Sequence, residues 1–157
     1  MLFTNKHFVI ALLVAPVLAI LAWFAAGYFA GERALPAQTG QSYPLLEKSN
    51  CRWESGACDL ENEDLQLTLA LEPSARGPQL VLRASHALDG VVVGIGDPEA
   101  SSPPQPMQGV SDDAREWRLP VAAVPGPAQR IHLVAMAGGS AFFADAATVF
   151  LQPGSGD

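Results

Sequence analysis

The chain has 157 residues, of which 16 are acidic and nine are basic, so its formal net charge at pH 7 is −7. An acidic chain repels the phosphate backbone, which excludes nucleic acid as a natural partner. Once the apolar N-terminus is set aside, about 110 residues remain, which is enough for one small domain.

The N-terminal segment 8–30 is a run of 23 residues without a charged side chain. As a helix it would be about 34 Å long, which is enough to cross a bilayer. A cleaved secretory signal is the alternative, but its apolar part is normally only about 7 to 15 residues long. Ala25-Ala26-Gly27 matches a signal cleavage site only weakly. We therefore predict an uncleaved transmembrane anchor that holds the protein in a lipid bilayer.

The charges that flank this segment predict its orientation. Residues 1–7 form a short tail that carries the α-amino group and Lys6, whereas Glu32 and Arg33 offset each other on the other side. The cationic end of a membrane helix generally faces the cytoplasm. The bias predicts a cytoplasmic tail and a periplasmic C-terminal part, in a single-pass protein of a Gram-negative-type bacterial inner membrane.

Small residues recur at helical spacing along the anchor. Such rows let a second helix approach closely, because lipid supplies no hydrophobic drive and packing must hold the helices together. We predict that a helix of a membrane protein complex packs on this face, whose residues are Ala15, Ala19, Ala26, Gly27 and Gly31.

The only two cysteines are Cys51 and Cys58. Glu54-Ser55-Gly56 between them is a turn signal, so we expect the cysteines to face each other across a tight hairpin. A metal site would need two more Cys or His ligands, and a redox dithiol would need a two-residue spacer at a helix start. The spacing therefore predicts a structural disulfide, which an oxidising compartment would maintain.

Beyond the anchor, residues 31–42 are rich in Gly, Pro, Gln and Ser and predict a linker. Residues 43–152 follow with a hydrophobic period of two, which is typical of strands, and we expect residues 153–157 to form a disordered tail. The clearest strand is 64–71, which carries leucines on one face. Further strands are predicted at 43–53, 79–85, 91–95, 116–121, 130–136 and 141–151.

Seven or eight short strands separated by turns predict an all-β domain, an immunoglobulin-like antiparallel β-sandwich, with a small barrel as the alternative. The adjacent Phe142 and Phe143 cannot both face its core, because side chains alternate along a strand. The candidate core residues are Leu65, Leu67, Leu69, Leu71, Leu80, Leu82, Val91, Val93, Ile95, Trp117, Leu119, Ile131, Leu133, Phe142, Val149 and Leu151.

No catalytic motif stands out, so we predict that the protein is not an enzyme. No serine lies in a Gly-x-Ser-x-Gly sequence, and no glycine-rich phosphate loop precedes a helix. The proline-rich loop 97–109 is either a recognition loop or a variable connection. The acidic segment 58–64 lacks the ligand order of a calcium loop and predicts a solvated edge.

Copper binding is the sharpest chemical alternative, because a domain outside the cytoplasm would bind copper through imidazole and thioether ligands. His132 and Met136 share a strand face but lie about 13 Å apart in an extended chain, which is too far for one ion. Met107 in the loop could approach either of two histidines. The candidate ligands are His86, Met107, His132 and Met136.

The layout of a short tail, one membrane helix and a small outer β-domain resembles the FixH and YtkA-like proteins. The strand Glu116-Trp117-Arg118-Leu119-Pro120, with its Trp-x-Leu pattern, shares that resemblance. Members of that group are associated with the assembly of haem-copper oxidases or with copper handling. The resemblance implies a membrane complex as the partner of the anchor, and it assigns no functional residue.

We therefore predict a non-enzymatic envelope protein that acts as an accessory or interaction module of a membrane complex, without a cofactor. The alternative is a periplasmic domain for copper handling or oxidase assembly that uses the His and Met ligands named above.

Overall fold

The computed structural model of the chain describes residues 5–30 and 38–154. They fall into two compact units, a helix and a β-domain, each of which is described by itself. Gly31, most of the predicted linker 31–42, most of the tail 1–7 that was predicted to be cytoplasmic, and residues 155–157 lie outside the described residues.

The N-terminal unit is helix α1, Lys6–Ala30, which begins two residues before the predicted segment and contains Pro16. Within its described part, the stretch Lys6–Ala26 is long and apolar enough to cross a membrane, by length and composition. The side chains of that stretch are exposed. The prediction of one long apolar N-terminal helix is therefore confirmed.

Within residues 38–154 the structure contains twelve strands and two short 3-10 helices. The strands are β1 Ser42–Pro44, β2 Leu46–Glu47, β3 Ala57–Glu61, β4 Gln66–Ser74, β5 Gly77–Ala84, β6 Gly90–Asp97, β7 Ala100–Ser101, β8 Gln105–Pro106, β9 Gln108–Gly109, β10 Glu116–Pro120, β11 Arg130–Ala137 and β12 Ser140–Ala147. The 3-10 helices are Ser49–Arg52 and Val149–Leu151.

The strands form two sheets of six. In the first, which we call sheet A, the order is β1-β12-β11-β6-β7, and β8 also pairs with β6. In the second, sheet B, the order is β2-β3-β4-β5-β10-β9. All pairs are antiparallel except β1 with β12, which is parallel. The prediction of an all-β domain is confirmed, and this one parallel pair departs from the antiparallel pattern that we expected.

Apolar side chains from both sheets form one core. Most of the predicted core residues are buried, including Leu65 just before β4 and Leu67 and Leu69 within it. The two adjacent phenylalanines separate as their strand requires: Phe142 is buried and Phe143 is exposed. Other predicted members pack against the core while keeping partial exposure, namely Leu71, Ile95 and Trp117.

The prediction of a strand at 141–151 is wrong at its end. β12 stops at Ala147, and the 3-10 helix that follows has three residues per turn rather than a period of two. As a result Phe150 and Leu151 are buried, whereas Val149 is only partly buried and is not part of the core.

The predicted strand 43–53 is likewise broken. Leu45 is buried between β1 and β2, and its N–H donates to the carbonyl of Phe143 at 2.8 Å. At this point the chain leaves sheet A and enters sheet B, so a single residue between two short strands connects the sheets. The 3-10 helix Ser49–Arg52 then replaces the remainder of the expected strand.

The acidic segment 58–64, predicted as a solvated edge, contains much of the unpredicted strand β3. Cys58 and Leu60 point into the core, while Asp59 and Glu61 lie on the other side. The Asp59 carboxylate accepts hydrogen bonds from Thr68 and from Asn50. β3 has an ordinary period of two, in which Cys58 and Leu60 are buried. The acidic residues between and after them make this period hard to recognise in the sequence.

The proline-rich loop 97–109 is more regular than predicted. It contains the two-residue strands β7 and β8, which pair with β6 of sheet A, and β9, which pairs with β10 of sheet B. Met107 between β8 and β9 is buried, with its N–H donating to the carbonyl of Val91. The segment therefore carries the chain from one sheet to the other.

Cys51 and Cys58 form a disulfide, as the sequence predicts. They do not face each other across a hairpin: Cys51 lies in the 3-10 helix Ser49–Arg52 and Cys58 lies on β3. Both residues are fully buried and belong to the core cluster. The bond therefore attaches the irregular segment after β2 to sheet B.

Replacing Cys51 and Cys58 together by alanine is expected to lower the free energy of unfolding by about 2.5 kcal/mol. The chain-entropy model gives this value for a loop of about eight residues. Urea unfolding of the variant and of the wild type, each with and without reductant, measures the difference. An unchanged midpoint would contradict a stabilising role for the bond, and the reduced wild type serves as the internal control.

Candidate functional site

A row of exposed apolar residues crosses the outer face of sheet A, the face that points away from the core. Strand register places Phe143 of β12 opposite Val134 of β11, and Val134 opposite Val92 of β6. A proline extends the row at each end, Pro44 of β1 beside Phe143 and Pro106 of β8 beside Val92. We call these five residues the apolar row.

Each of the three central side chains keeps a large exposed fraction: 46% for Phe143, 40% for Val134 and 39% for Val92. Their immediate neighbours in the chain are buried, because side chains alternate between the two faces of a strand. These strands are therefore apolar on both faces. In the sequence, such strands show consecutive apolar residues, as in Val91-Val92-Val93. In a strand with one solvated face, apolar and polar residues would alternate.

The rows beside the apolar row differ in character. On one side Met136 lies opposite Gly90 and Ala141, which extends the apolar surface with small residues. On the other side His132 lies opposite Gly94 and Asp145. The outer face of sheet A is therefore apolar across its centre and polar along one margin.

Phe143 stands between two grooves. The first, of about 320 Å³, is lined by Val92, Gly94, Pro104, Val134 and His132 among others. A methyl group on Gly94 would lie 3.3 Å from the carbonyl oxygen of Ser102, so a larger residue would crowd the floor of this groove.

The second groove, of about 530 Å³, lies on the other side of Phe143. Its lining includes Pro44, Leu46, Glu47 and Arg52. Leu46 is 68% exposed, so the apolar surface continues past the edge of sheet A into β2. An aromatic side chain between two grooves is a common form of anchor in protein interfaces.

The polar margin is a cluster of opposite charges. Arg130 donates from Nε to the carboxylate of Asp145 and from a terminal nitrogen to the Asp145 backbone carbonyl. Glu47 lies 3.9 Å from Arg130 and accepts a hydrogen bond from the Ala147 N–H. Together with Arg52 at the second groove, the margin has two cations and two carboxylates. It therefore carries little of the chain's net negative charge.

Ser102, His132 and Asp145 all line the first groove and have the residue types of a serine hydrolase. Their geometry differs from a catalytic triad. The His132 Nδ1 atom lies 3.8 Å from the Asp145 carboxylate, beyond a hydrogen bond, and Arg130 occupies that carboxylate instead. Among the described residues, no hydrogen bond joins Ser102 to His132.

The outer face of sheet B is occupied by ion pairs. Arg83 binds Glu72 at 2.7 Å and Glu116 at 3.3 Å, and Arg118 binds Glu116 at 2.6 Å. The hydrogen bond from Arg118 lowers the pKa of the Glu116 carboxyl below its ordinary value. These paired charges are well solvated, so this face has no need of a covering partner.

The edges of both sheets are short. Sheet A ends in β1 with three residues and in β7 and β8 with two residues each, and sheet B ends in β2 and β9 with two residues each. Short edges that contain proline offer few free backbone groups to an added strand. Recognition through an added strand is therefore disfavoured, and the outer face of sheet A is the candidate site.

The residues predicted to bind copper lie in different settings. Met107 is 4% exposed and packs in the core. The His86 ring lies 2.9 Å from the Ser85 hydroxyl, just after β5 of sheet B, whereas His132 and Met136 lie on β11 of sheet A. Within the described part of the chain, no group of three or more His, Cys, Asp or Glu residues could hold a metal ion. Copper binding stays a prediction without support from this arrangement.

Four of the five residues predicted to pack on a partner helix, Ala15, Ala19, Ala26 and Gly27, lie in α1. Of these, Ala15, Ala19 and Ala26 are exposed to the surroundings. The fifth, Gly31, falls outside the described residues. Helix packing therefore stays a prediction.

Comparison of the chain with family models, with curated proteins and with solved structures finds no match. The resemblance to the FixH and YtkA-like proteins consequently stays a prediction from layout and from one short strand.

Proposed function

We propose that the protein is a non-enzymatic interaction module, anchored in a bacterial inner membrane by α1, whose periplasmic β-domain binds protein through the outer face of sheet A. In this role it would be an accessory subunit of a membrane complex. One observation carries the proposal: the apolar row lies exposed on one sheet while the other sheet presents paired charges.

An exposed apolar surface costs free energy because it faces water. Burying apolar surface is worth about 25 cal/mol per Å². A continuous patch is less easily tolerated than scattered apolar residues and generally marks an interaction site. Because the strands that carry the patch are pinned by their buried faces, it is preformed, so a partner would lose little free energy in ordering it.

Two further features support the proposed setting. α1 has the length and composition of a membrane span. The disulfide between Cys51 and Cys58 is typical of proteins in an oxidising compartment.

We also propose that the domain is an immunoglobulin-like sandwich. In support, β4, β5 and β10 are adjacent in one sheet and β6, β11 and β12 in the other, with the chain crossing between sheets after β5 and after β10.

A photoreactive amino acid at position 143 tests the proposal in intact membranes. We expect a discrete crosslinked protein adduct, because Phe143 stands at the centre of the candidate site. Val110 provides the matched control, since it is 53% exposed but lies next to sheet B. Equal labelling from both positions, or none from position 143, would contradict the proposed docking face.

A further inference from the structure

We propose that the outer face of sheet A binds a second copy of the chain, so that the interaction module is a homodimer. This inference rests on the proposed function, since it names the first occupant of the same face. It follows from the symmetry of the apolar row about Val134, from the charges along the margin and from the size of the face.

The apolar row is nearly palindromic. Reading across the strands, its order is Pro44, Phe143, Val134, Val92 and Pro106. Suppose that two copies face each other through this surface. A two-fold axis between them would run parallel to β11 and pass over the outward side chain of Val134. The axis brings each strand on one side of β11 opposite the strand on the other side in the second copy. Proline then meets proline, and Val134 meets its own equivalent.

The same operation pairs the largest side chain of the row with a smaller one. Phe143 of one copy faces Val92 of the other, where the first groove has Gly94 in its floor. The converse contact forms at the same time, because a two-fold interface repeats every contact. The face is therefore complementary to itself in shape, with one aromatic residue filling one groove in each direction.

The axis along β11 brings Arg130 of one copy opposite Arg130 of the other, so the contact depends on the ion pair with Asp145 that offsets each arginine. The chain has a net charge of −7, which would repel a second copy if it lay on the contact face. The margin of the face instead carries Arg130 paired with Asp145, near Glu47 and Arg52. Repulsion between more distant charges is screened within about 8 Å at physiological ionic strength. Added salt is therefore expected to leave the contact intact, whereas a basic partner would be released by salt.

The size of the face indicates a weak dimer. β6, β11 and β12 have eight residues each, which is about 26 Å of length, whereas β1 and β8 contribute only about 10 Å and about 7 Å. At a strand spacing of about 4.8 Å they present roughly 450 Å² per copy, and the total of roughly 900 Å² is slightly below the lower limit for a specific interface. In the proposed membrane setting, only the seven residues 31–37 separate α1 from the start of the described domain. Copies in one membrane would thus be held at a common height, which raises their effective concentration.

Cysteine crosslinking of the full chain in its membrane tests the proposal. The variants are Val134→Cys, Phe143→Cys and Val92→Cys, with Val110→Cys as the control, and the reagent is a short bismaleimide. Facing sheets lie about 10 Å apart, so a short linker suits the distance between equivalent Val134 positions better than a direct disulfide does. The native cysteines are fully buried in their disulfide and do not compete for the reagent.

We expect Val134→Cys to give at least about tenfold more crosslinked dimer than Val110→Cys, because it lies on the two-fold axis. Two differently tagged chains, one with Phe143→Cys and one with Val92→Cys, should crosslink to each other more than either does to itself. The yields should hold when the salt concentration rises. A variant is included in the comparison only if its thermal unfolding midpoint matches that of the wild type.

Three outcomes would overturn the homodimer. The first is a Val134→Cys chain that stays monomeric, and the second is a yield equal to that of the Val110→Cys control. The third is a crosslink from position 134 to a different protein only, which removes the homodimer and leaves the proposed docking function in place. The docking function itself fails only if position 143 also yields no specific photoadduct.

Discussion

Replacing Phe143 by serine is expected to weaken association through the outer face of sheet A by at least about thirtyfold, which corresponds to a loss of about 2 kcal/mol. Aromatic residues at the centre of an interface commonly carry an effect of this size. Phe143 is central because it separates the two grooves and lies opposite Val134 in the strand register. Crosslinking yield or co-purification in mild detergent measures the effect.

The folded domain should tolerate this substitution. Phe143 is almost half exposed, and its cross-strand pair with Val134 is worth only about 0.2 to 1 kcal/mol. Val110→Ser removes a similarly exposed apolar side chain elsewhere and should change neither association nor stability. If Phe143→Ser left association unchanged, the importance of Phe143 in docking would be contradicted. If it unfolded the domain, the expected tolerance of the fold would be contradicted instead.

Replacing Phe150 by alanine is expected to lower the free energy of unfolding by about 3 to 5 kcal/mol, a large part of the total stability of a small domain. Phe150 is fully buried and lies in the short 3-10 helix Val149–Leu151. Its backbone carbonyl accepts a hydrogen bond from the N–H of Gly56, which lies in the loop between Cys51 and Cys58. The loss combines reduced apolar burial with the cavity that remains.

Val149→Ala is the matched control for this prediction, since Val149 is adjacent but lies outside the core cluster. We expect it to cost less than half as much as Phe150→Ala in urea unfolding. The order of the two effects is decisive. A larger loss from Val149→Ala would contradict the burial of Phe150 in the core.

The sequence predicted strands well where leucine or valine alternates with polar residues. β4 is the clearest case, because Leu67 and Leu69, together with Leu65 just before the strand, mark one apolar face. β3 was missed because its outward residues are acidic, and acidic clusters are usually solvated. The 3-10 helix at Val149–Leu151 was missed because a three-residue helix has no period long enough to detect.

The candidate site was harder to predict than the fold, for a physical reason. Val92, Val134 and Phe143 lie in three separate strands, and each alone is an ordinary exposed apolar residue. Only the register between strands, which depends on long-range contacts, brings them into one row. The sequence did identify His132 as noteworthy, and this residue lies at the margin of the row, although it was predicted for a different role.

The pairing of β1 with β12 affects how the domain is made. Ser42 pairs with Ala141, so β1 cannot form its hydrogen bonds until β12, the last strand, has been synthesised. Long-range pairing of this kind is slow and leaves apolar strands uncovered during biosynthesis. Chains truncated before residue 140 should therefore remain sensitive to proteases, and resistance should arise in one step once the chain includes all of β12.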